Sequence, residues 1–464
     1  MSNWCAVLIA ASLAACSGAG ENGGDEGAGG ASGPGGTGAG APTGGTGAGT
    51  PTGTGGGTGT GTPTGGTGTG TPTGGTGTGT PTGSTGTGSA SCPGGVDITA
   101  PAGNPFDGGT LFVDPEYVAK VQSSIDMTTD AALIEKMKKV QSIPTAFWLD
   151  RIAAVDRLAG HLDKAIEEQN RTCKPVIPVI VVYDLPNRDC FAEASNGELR
   201  LENGGAERYK TEFIDKIAEI FAARPNLRIV TVIEPDSLPN LATNMGQKDC
   251  SEATAAGYKD GVAYALKKLN QPNVHHYIDA AHSGWLGWPD NQEKGAAIFK
   301  EVLDLAGNPS NVRGFATNVA NYTQLKYADG AESYDQQFNP CFGEFDYVNQ
   351  FGEALSAVGL GDKHFIIDTS RNGRGNIRAD WGYWCNNIGA GMGERPKANP
   401  GGATRLDAFY WVKPPGDSDG TADKSAERYD LFCGYENADQ RAPEAGYWFH
   451  EYFVECVKNA NPPL

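Results

Sequence analysis

Seven aspartates stand where short apolar segments give way to loops. Asp150, Asp184, Asp236, Asp279 and Asp368 each close such a segment, and Asp189 and Asp419 follow in the loops. Any one of them reads equally well as a helix N-cap. Seven at one rim cannot all be caps. Carboxylates held close together raise one another's proton affinity, which keeps one of them protonated near neutral pH as a general acid. Tryptophans collect in the same places: Trp148, Trp285, Trp288, Trp381, Trp384 and Trp411. Trp411 reads as core. Trp285 and Trp288 lie in the glycine-punctuated stretch HSGWLGWP, where a bulky ring has little structural reason to be. Flat apolar rings beside carboxylates suit a ligand with apolar C–H faces and a hydroxyl edge, which is the chemistry of a saccharide.

Such residues need a scaffold that brings loop ends together. Seven apolar runs recur between Cys92 and Leu464: Thr145–Asp150, Val176–Asp184, Arg228–Asp236, Val274–Asp279, Val312–Val319, Lys363–Asp368 and Leu406–Lys413. Their hydrophobicity is continuous rather than alternating, as in strands buried on both faces. Helical patterns such as Ala206–Ala223 and Ala253–Leu269 lie between them. Strands alternating with helices imply right-handed crossovers and a parallel sheet, so the fold class is α/β. Seven runs fit one closed or nearly closed β/α barrel, in which reactive groups gather at the C-terminal strand ends. An open doubly wound sheet is the alternative, but no G-x-G-x-x-G follows any of the runs.

Ahead of this region the composition changes. Residues 17–91 consist almost wholly of Gly, Thr, Pro, Ala and Ser, with TPTGGTGTG at Thr62–Gly70 and again at Thr71–Gly79. With no apolar side chains to bury, nothing offsets the conformational entropy of ordering, and the segment reads as a flexible linker. Residues 1–16 read as an export signal, with an apolar run too short to span a bilayer. That run ends in Leu13-Ala14-Ala15-Cys16, which is similar to a bacterial lipoprotein cleavage box and would leave Cys16 lipidated. No Lys or Arg precedes Cys16, so an ordinary cleavage site beside it stays open. The eight later cysteines, Cys92, Cys173, Cys190, Cys250, Cys341, Cys385, Cys433 and Cys456, read as disulfides in an exported protein. No C-x-x-C or HExxH spacing occurs, and neither metal nor cofactor is expected. A net charge of −19 argues against nucleic acid as a partner and agrees with a neutral polymer.

Several long motifs resemble glycoside hydrolase family 6, the inverting cellulases that include cellobiohydrolases acting from the non-reducing end. They are Tyr183-Asp-Leu-Pro-Asn-Arg-Asp-Cys190, Val232-Ile-Glu-Pro-Asp-Ser-Leu238 and Asp279-Ala-Ala-His-Ser-Gly-Trp-Leu-Gly-Trp-Pro289. Ala316-Thr-Asn-Val-Ala-Asn-Tyr322, Trp381-Gly-Tyr-Trp-Cys-Asn386, Trp411-Val-Lys-Pro414 and Asp419-Gly420 complete the set. The resemblance runs from about Asn104 to the C-terminus and implies a distorted seven-stranded barrel within a catalytic domain of residues 92–464, acting on cellulose or another β-1,4-glucan. Asp236 would be the general acid, Asp189 would hold the proton on Asp236 through its own charge, and Asp419 would serve the base side. Tyr183 would press on the distorted sugar, with Ser195 near the attacking water. Trp148, Trp285, Trp288 and Trp384 would be sugar platforms, and Asp150, His282, Asn318, Lys413 and Asp417 would contact hydroxyls. Cys190–Cys250 and Cys385–Cys433 would be disulfides, with Cys92, Cys173, Cys341 and Cys456 unassigned.

Three readings follow: an exo-acting cellobiohydrolase, an endoglucanase on the same scaffold, and a non-catalytic glycan binder on the cell surface. Binding alone has no use for Asp189, Asp236 and Asp419 together, which counts against the third. The long stretches Leu185–Gly205 and Lys413–Pro443, each pinned by an implied disulfide, are expected to roof the cleft and favour exo action. A monomer is expected.

Overall fold

The computed structural model describes residues 92, 95–327 and 338–464. The expected signal, Cys16 and the linker lie outside the described residues.

All seven apolar runs carry strands of one curled parallel sheet. In chain order these are β1 (Phe147–Leu149), β2 (Val179–Val182), β3 (Ile229–Ile233), β4 (Val274–Asp279), β5 (Val312–Thr317), β6 (His364–Asp368) and β7 (Leu406–Tyr410). Each pairs in parallel with its sequence neighbour. Side chains alternate between two apolar layers. Val179, Val181, Val230, Val232, Tyr277, Ala316, Ile366, Ala408 and Tyr410 fill the interior. Ile180, Val182, Ile229, Ile233, Ile278, Phe315 and Phe365 pack outward in the larger core shared with the helices. Burial on both faces is why the runs are apolar throughout. The run Val176–Asp184 is divided at Pro178, which has no N–H for the ladder; its first half, Val176–Ile177, pairs instead with Thr110–Leu111.

Closure of the barrel is incomplete. An antiparallel strand, Lys397–Ala398, occupies the edge of β7 at Ala408 and Phe409. Between the first and last strands the backbone contacts are the Thr145–Trp411 bridge and the Ala146 N–H donating to the Trp411 carbonyl at 3.1 Å. Trp411 is buried, as expected of core.

Helices cover the outer face. Helix α1 (Pro115–Asp126) starts at the Asp114 cap with proline in its first turn, and α2 is Val155–Thr172. The expected helix Ala206–Ala223 appears as three consecutive helical segments from Gly205 to Ala222, the middle one (Tyr209–Ile214) in π geometry. The expected helix Ala253–Leu269 is α3 (Glu252–Lys268), capped by Ser251.

The cysteine reading needs correction. Cys190–Cys250 and Cys385–Cys433 are disulfides, and so is Cys92–Cys173. Cys341 and Cys456 are free buried thiols. They belong to different apolar clusters, Cys456 among residues of α1 and the C-terminal helix His450–Lys458, so among the described residues neither has a partner thiol to oxidise with.

Candidate active site

A cavity of about 820 Å³ opens at the C-terminal ends of the strands. Among the expected residues, Trp148, Asp150, Tyr183, Asp189, Ser195, Asp236, His282, Trp285, Trp384, Lys413, Asp417 and Asp419 line it. Trp288 and Asn318 are not among its lining residues. The Trp288 ring packs edge-on against Trp381, which does line it, at 5.6 Å. The Asn318 amide is engaged in the fold: it donates to the Thr323 and Asp368 carbonyls at 3.1 and 2.8 Å and accepts from the Thr323 N–H at 3.1 Å.

Asp236 sits on a tight turn past β3 in which Glu234 and Asp236 both take left-handed backbone angles, with φ of 47° and 56°. Asp189 does the same at 49°. Non-glycine residues hold such angles only when their surroundings enforce them, and they cluster at functional sites. The enforcement is visible. Glu234, fully buried, accepts from the Asp184 and Leu185 N–H groups at 3.3 and 3.2 Å and from the Tyr209 hydroxyl at 2.8 Å, welding the end of β2 to the end of β3. Asp279 accepts the Asp236 N–H at 3.1 Å, and the Asn240 amide donates to the Asp236 carbonyl at 2.6 Å.

The two candidate acids have raised proton affinity. Burial pushes Asp236 up to about 7, the Lys413 ammonium opposing and the Asp419 charge adding to the rise. Burial also raises Asp189 well above the carboxylate range, repulsion from Asp236 adds to it, and a hydrogen bond from Ser195 opposes it. Two such groups ionise in sequence, so the pair retains a proton well above ordinary carboxylate pH.

Asp419 is the opposite case. Burial works to raise it, but Arg371 and then Lys413 outweigh burial and hold it below the usual range. Arg371 donates to both of its oxygens at 2.9 and 2.7 Å, Lys413 lies 3.2 Å away, and the Tyr322 hydroxyl and Asn386 N–H each donate at 2.9 Å. The site thus combines carboxyls of raised proton affinity with one held as an anion, the division of labour that acid–base hydrolysis requires.

The remaining strand-end aspartates hold the loops. Asp368 accepts from the Ser370, Ala320 and Lys413 N–H groups at 2.9, 3.0 and 2.9 Å. Asp184 is buried beside Arg188 and pushed up to about 9 by that burial. Asp150 reaches the cavity wall paired with Arg151. Trp148 stands edge-on to Tyr183 at 5.5 Å, with its indole N–H on the Val412 carbonyl and the Lys413 ammonium 5.8 Å from its ring.

The two long loops meet. The Glu193 N–H donates to Asp430 at 2.7 Å, and the Phe191 and Phe432 rings lie 6.2 Å apart. Ala194 packs on the Cys385–Cys433 disulfide. Phe191 and Phe432 both line the cavity. The loop after β2 and the loop after β7 thus join across the end of β1, where the barrel itself closes least.

Four residues here escaped the sequence reading: Arg371, Arg188, Glu234 and Lys120. Arg371 stands three positions past a strand-ending aspartate in a glycine-rich loop, a usable signal. Arg188 lies over the Tyr183 ring at 4.2 Å and donates to the Tyr183 and Ser195 carbonyls at 2.6 and 2.9 Å. Lys120, on α1, grips both oxygens of Asp417 at 2.8 and 3.0 Å from 297 residues away, and no local pattern announces it.

Comparison with known proteins agrees with this geometry. The family described as Glycosyl hydrolases family 6 matches residues 106–460. The 1,4-beta-D-glucan cellobiohydrolase CEL6C of Podospora anserina is 47% identical over 378 residues, covering 81% of this chain and 92% of that protein. Exoglucanase-6A of Humicola insolens is 44% identical over 381 residues, 81% and 79% of the two chains. Among solved structures, cellobiohydrolase II (Cel6A) from Humicola insolens, in complex with glucose and cellotetraose, superposes with a TM-score of 0.74 at 43% identity. That match covers 78% of this chain and all of the other. The catalytic core of the cellobiohydrolase Cel6A from Chaetomium thermophilum gives 0.75 at 45% identity, covering 78% and 99%.

Proposed function

The chain belongs to glycosyl hydrolases family 6, and from that premise we propose that it is an exo-acting cellobiohydrolase, cleaving β-1,4-glucosidic bonds of cellulose with inversion and releasing cellobiose from the non-reducing end. The observation that carries the exo assignment is the junction of the two loops through Glu193 and Asp430. A roofed site admits a glucan by its end, whereas an open groove admits it anywhere along its length.

Asp236 gives its proton to the glycosidic oxygen as the bond breaks. A water on the opposite face of the ring attacks the anomeric carbon, and its proton passes towards Asp419, directly or through a second water. Inverting sites keep their carboxyls roughly 6.5–9.5 Å apart to admit that water. Arg371 and Lys413 keep Asp419 ionised, Ser195 and Asp189 organise the water, and Tyr183 presses on the distorted sugar. Trp148, Trp285 and Trp384 offer ring faces to glucosyl units, while Lys413 and Asp417 reach hydroxyls.

The three disulfides fit an oxidising compartment and support export, with residues 1–16 as signal and 17–91 as linker to the hydrolase domain. Lipid attachment at Cys16 rests on the Leu-Ala-Ala-Cys sequence alone.

Product analysis tests the exo reading. On swollen cellulose, cellobiose should dominate from the first minutes, and the viscosity of a soluble β-1,4-glucan should fall slowly relative to sugar released. A rapid viscosity drop with mixed longer oligosaccharides would make the protein an endoglucanase.

A further inference from the structure

A ladder of aromatic rings leads out of the cavity along the roof. Trp384 and Phe432 line the cavity with ring centres 5.9 Å apart. Phe432 meets Tyr435 at 5.4 Å, and Tyr435 meets Tyr383 at 4.9 Å with planes 34° apart. Neither Tyr383 nor Tyr435 lines the cavity, and both residues are half-buried. Leu431, beside them in sequence, is 56% exposed.

The platform under these rings is rigid. The Cys385–Cys433 disulfide joins the two segments that carry them. The Ile388 N–H donates to the Asn437 carbonyl at 2.9 Å, and the Asp439 N–H to the Asn386 carbonyl at 3.0 Å. The Gln440 amide donates to the Tyr435 and Ala438 carbonyls at 2.7 and 2.9 Å. Half-buried rings on a pre-ordered surface bind with little ordering cost.

We propose that Tyr383 and Tyr435 form a glucan-binding platform outside the cavity, holding the part of a cellulose chain that continues beyond Trp384. The occupant follows from continuity: the rings prolong the aromatic lining of the cavity, and a polymer with apolar sugar faces meets the same surface on both sides of the opening. This inference rests on the β-1,4-glucanase reading above.

The test compares Tyr383→Ala/Tyr435→Ala with Tyr383→Phe/Tyr435→Phe and the unaltered protein, measuring adsorption to swollen cellulose and KM on cellotetraose. Loss of both rings should weaken adsorption to cellulose by about five- to tenfold, the scale of stacked ring contacts. The phenylalanine variant, which keeps the rings, should retain most of it. The loss on cellulose should far exceed any change in KM on cellotetraose. An equal loss on both substrates would mean a loosened roof and overturn the platform, as would unchanged adsorption of the alanine variant or an equal loss in the phenylalanine variant. Hydrolysis of neither substrate by the unaltered protein would overturn the glucanase reading itself, a different result from any of these.

Discussion

Arg371 donates from one guanidinium nitrogen to both carboxylate oxygens of Asp419, at 2.9 and 2.7 Å, with both side chains buried. Removing one partner of a buried pair leaves an uncompensated charge, which typically costs about 3–5 kcal/mol. Arg371→Met should therefore lower stability on that scale. It should also raise the proton affinity of Asp419, because Arg371 is the charge that most strongly opposes burial there. The acid limb of the kcat profile should move to higher pH, and a limb that stays in place would remove Asp419 from the base side.

On the proposed mechanism the alkaline limb reports loss of the proton that the Asp189–Asp236 pair holds for Asp236 to donate. The Asp236 carboxyl is raised to about 7, chiefly by burial, so the acid form needed for proton donation prevails below that pH. Activity should fall as pH rises through about 7 and stay high down into the ordinary carboxylate range, since Asp419 remains ionised there. Asp236→Asn should reduce turnover of unactivated glucans by about a hundredfold to ten-thousandfold while sugar binding persists. Near-normal turnover of that variant would defeat the assignment.

Stability should depend on pH through Asp184. Its folded-state affinity is raised to about 9 by burial, and that of Glu234 to about 7. In an unfolded chain both titrate near about 4. A group raised on folding stabilises fully below the unfolded value and loses that contribution as pH climbs through the folded value. Melting temperature should therefore decline between about pH 4 and 9, and less steeply in Asp184→Asn, as thermal unfolding across that range would show. An unchanged slope would contradict the account.

The roof gives a further prediction. Cys385→Ser/Cys433→Ser frees one side of the loop junction, and an unpinned loop samples open states. Product mixtures from a soluble glucan should shift towards longer oligosaccharides, with a steeper viscosity drop per bond cut. Identical product patterns with and without the disulfide would mean that this clamp does not govern how the chain enters.

What the sequence made legible was whatever burial or chemistry writes locally. Val230 and Val232 face inward while Ile229 and Ile233 face outward, so β3 reads as an unbroken apolar run and its type and direction follow. The acidic turn after it was equally plain. Partners brought together by the barrel were not: Lys120 meets Asp417, and Arg371 meets Asp419, only because distant loops share a rim. Counting cysteines as even misled for the same reason. Cys341 and Cys456 are buried in separate places, and parity carries no distance. Asn318 was expected to contact hydroxyls because the family resemblance implies it, but its amide is engaged in holding the turn after β5.

On the proposed mechanism Asp236 protonates the departing oxygen while a water, served from the side of Asp419, attacks the opposite face of the sugar. Proton NMR of freshly released product reads this directly, provided spectra are taken within the first minutes, before the anomers equilibrate. From a β-linked cello-oligosaccharide the new reducing end should first appear as the α-anomer. An initial β-anomer would show retention through a covalent intermediate and contradict both the roles of these carboxylates and the mechanism built on them.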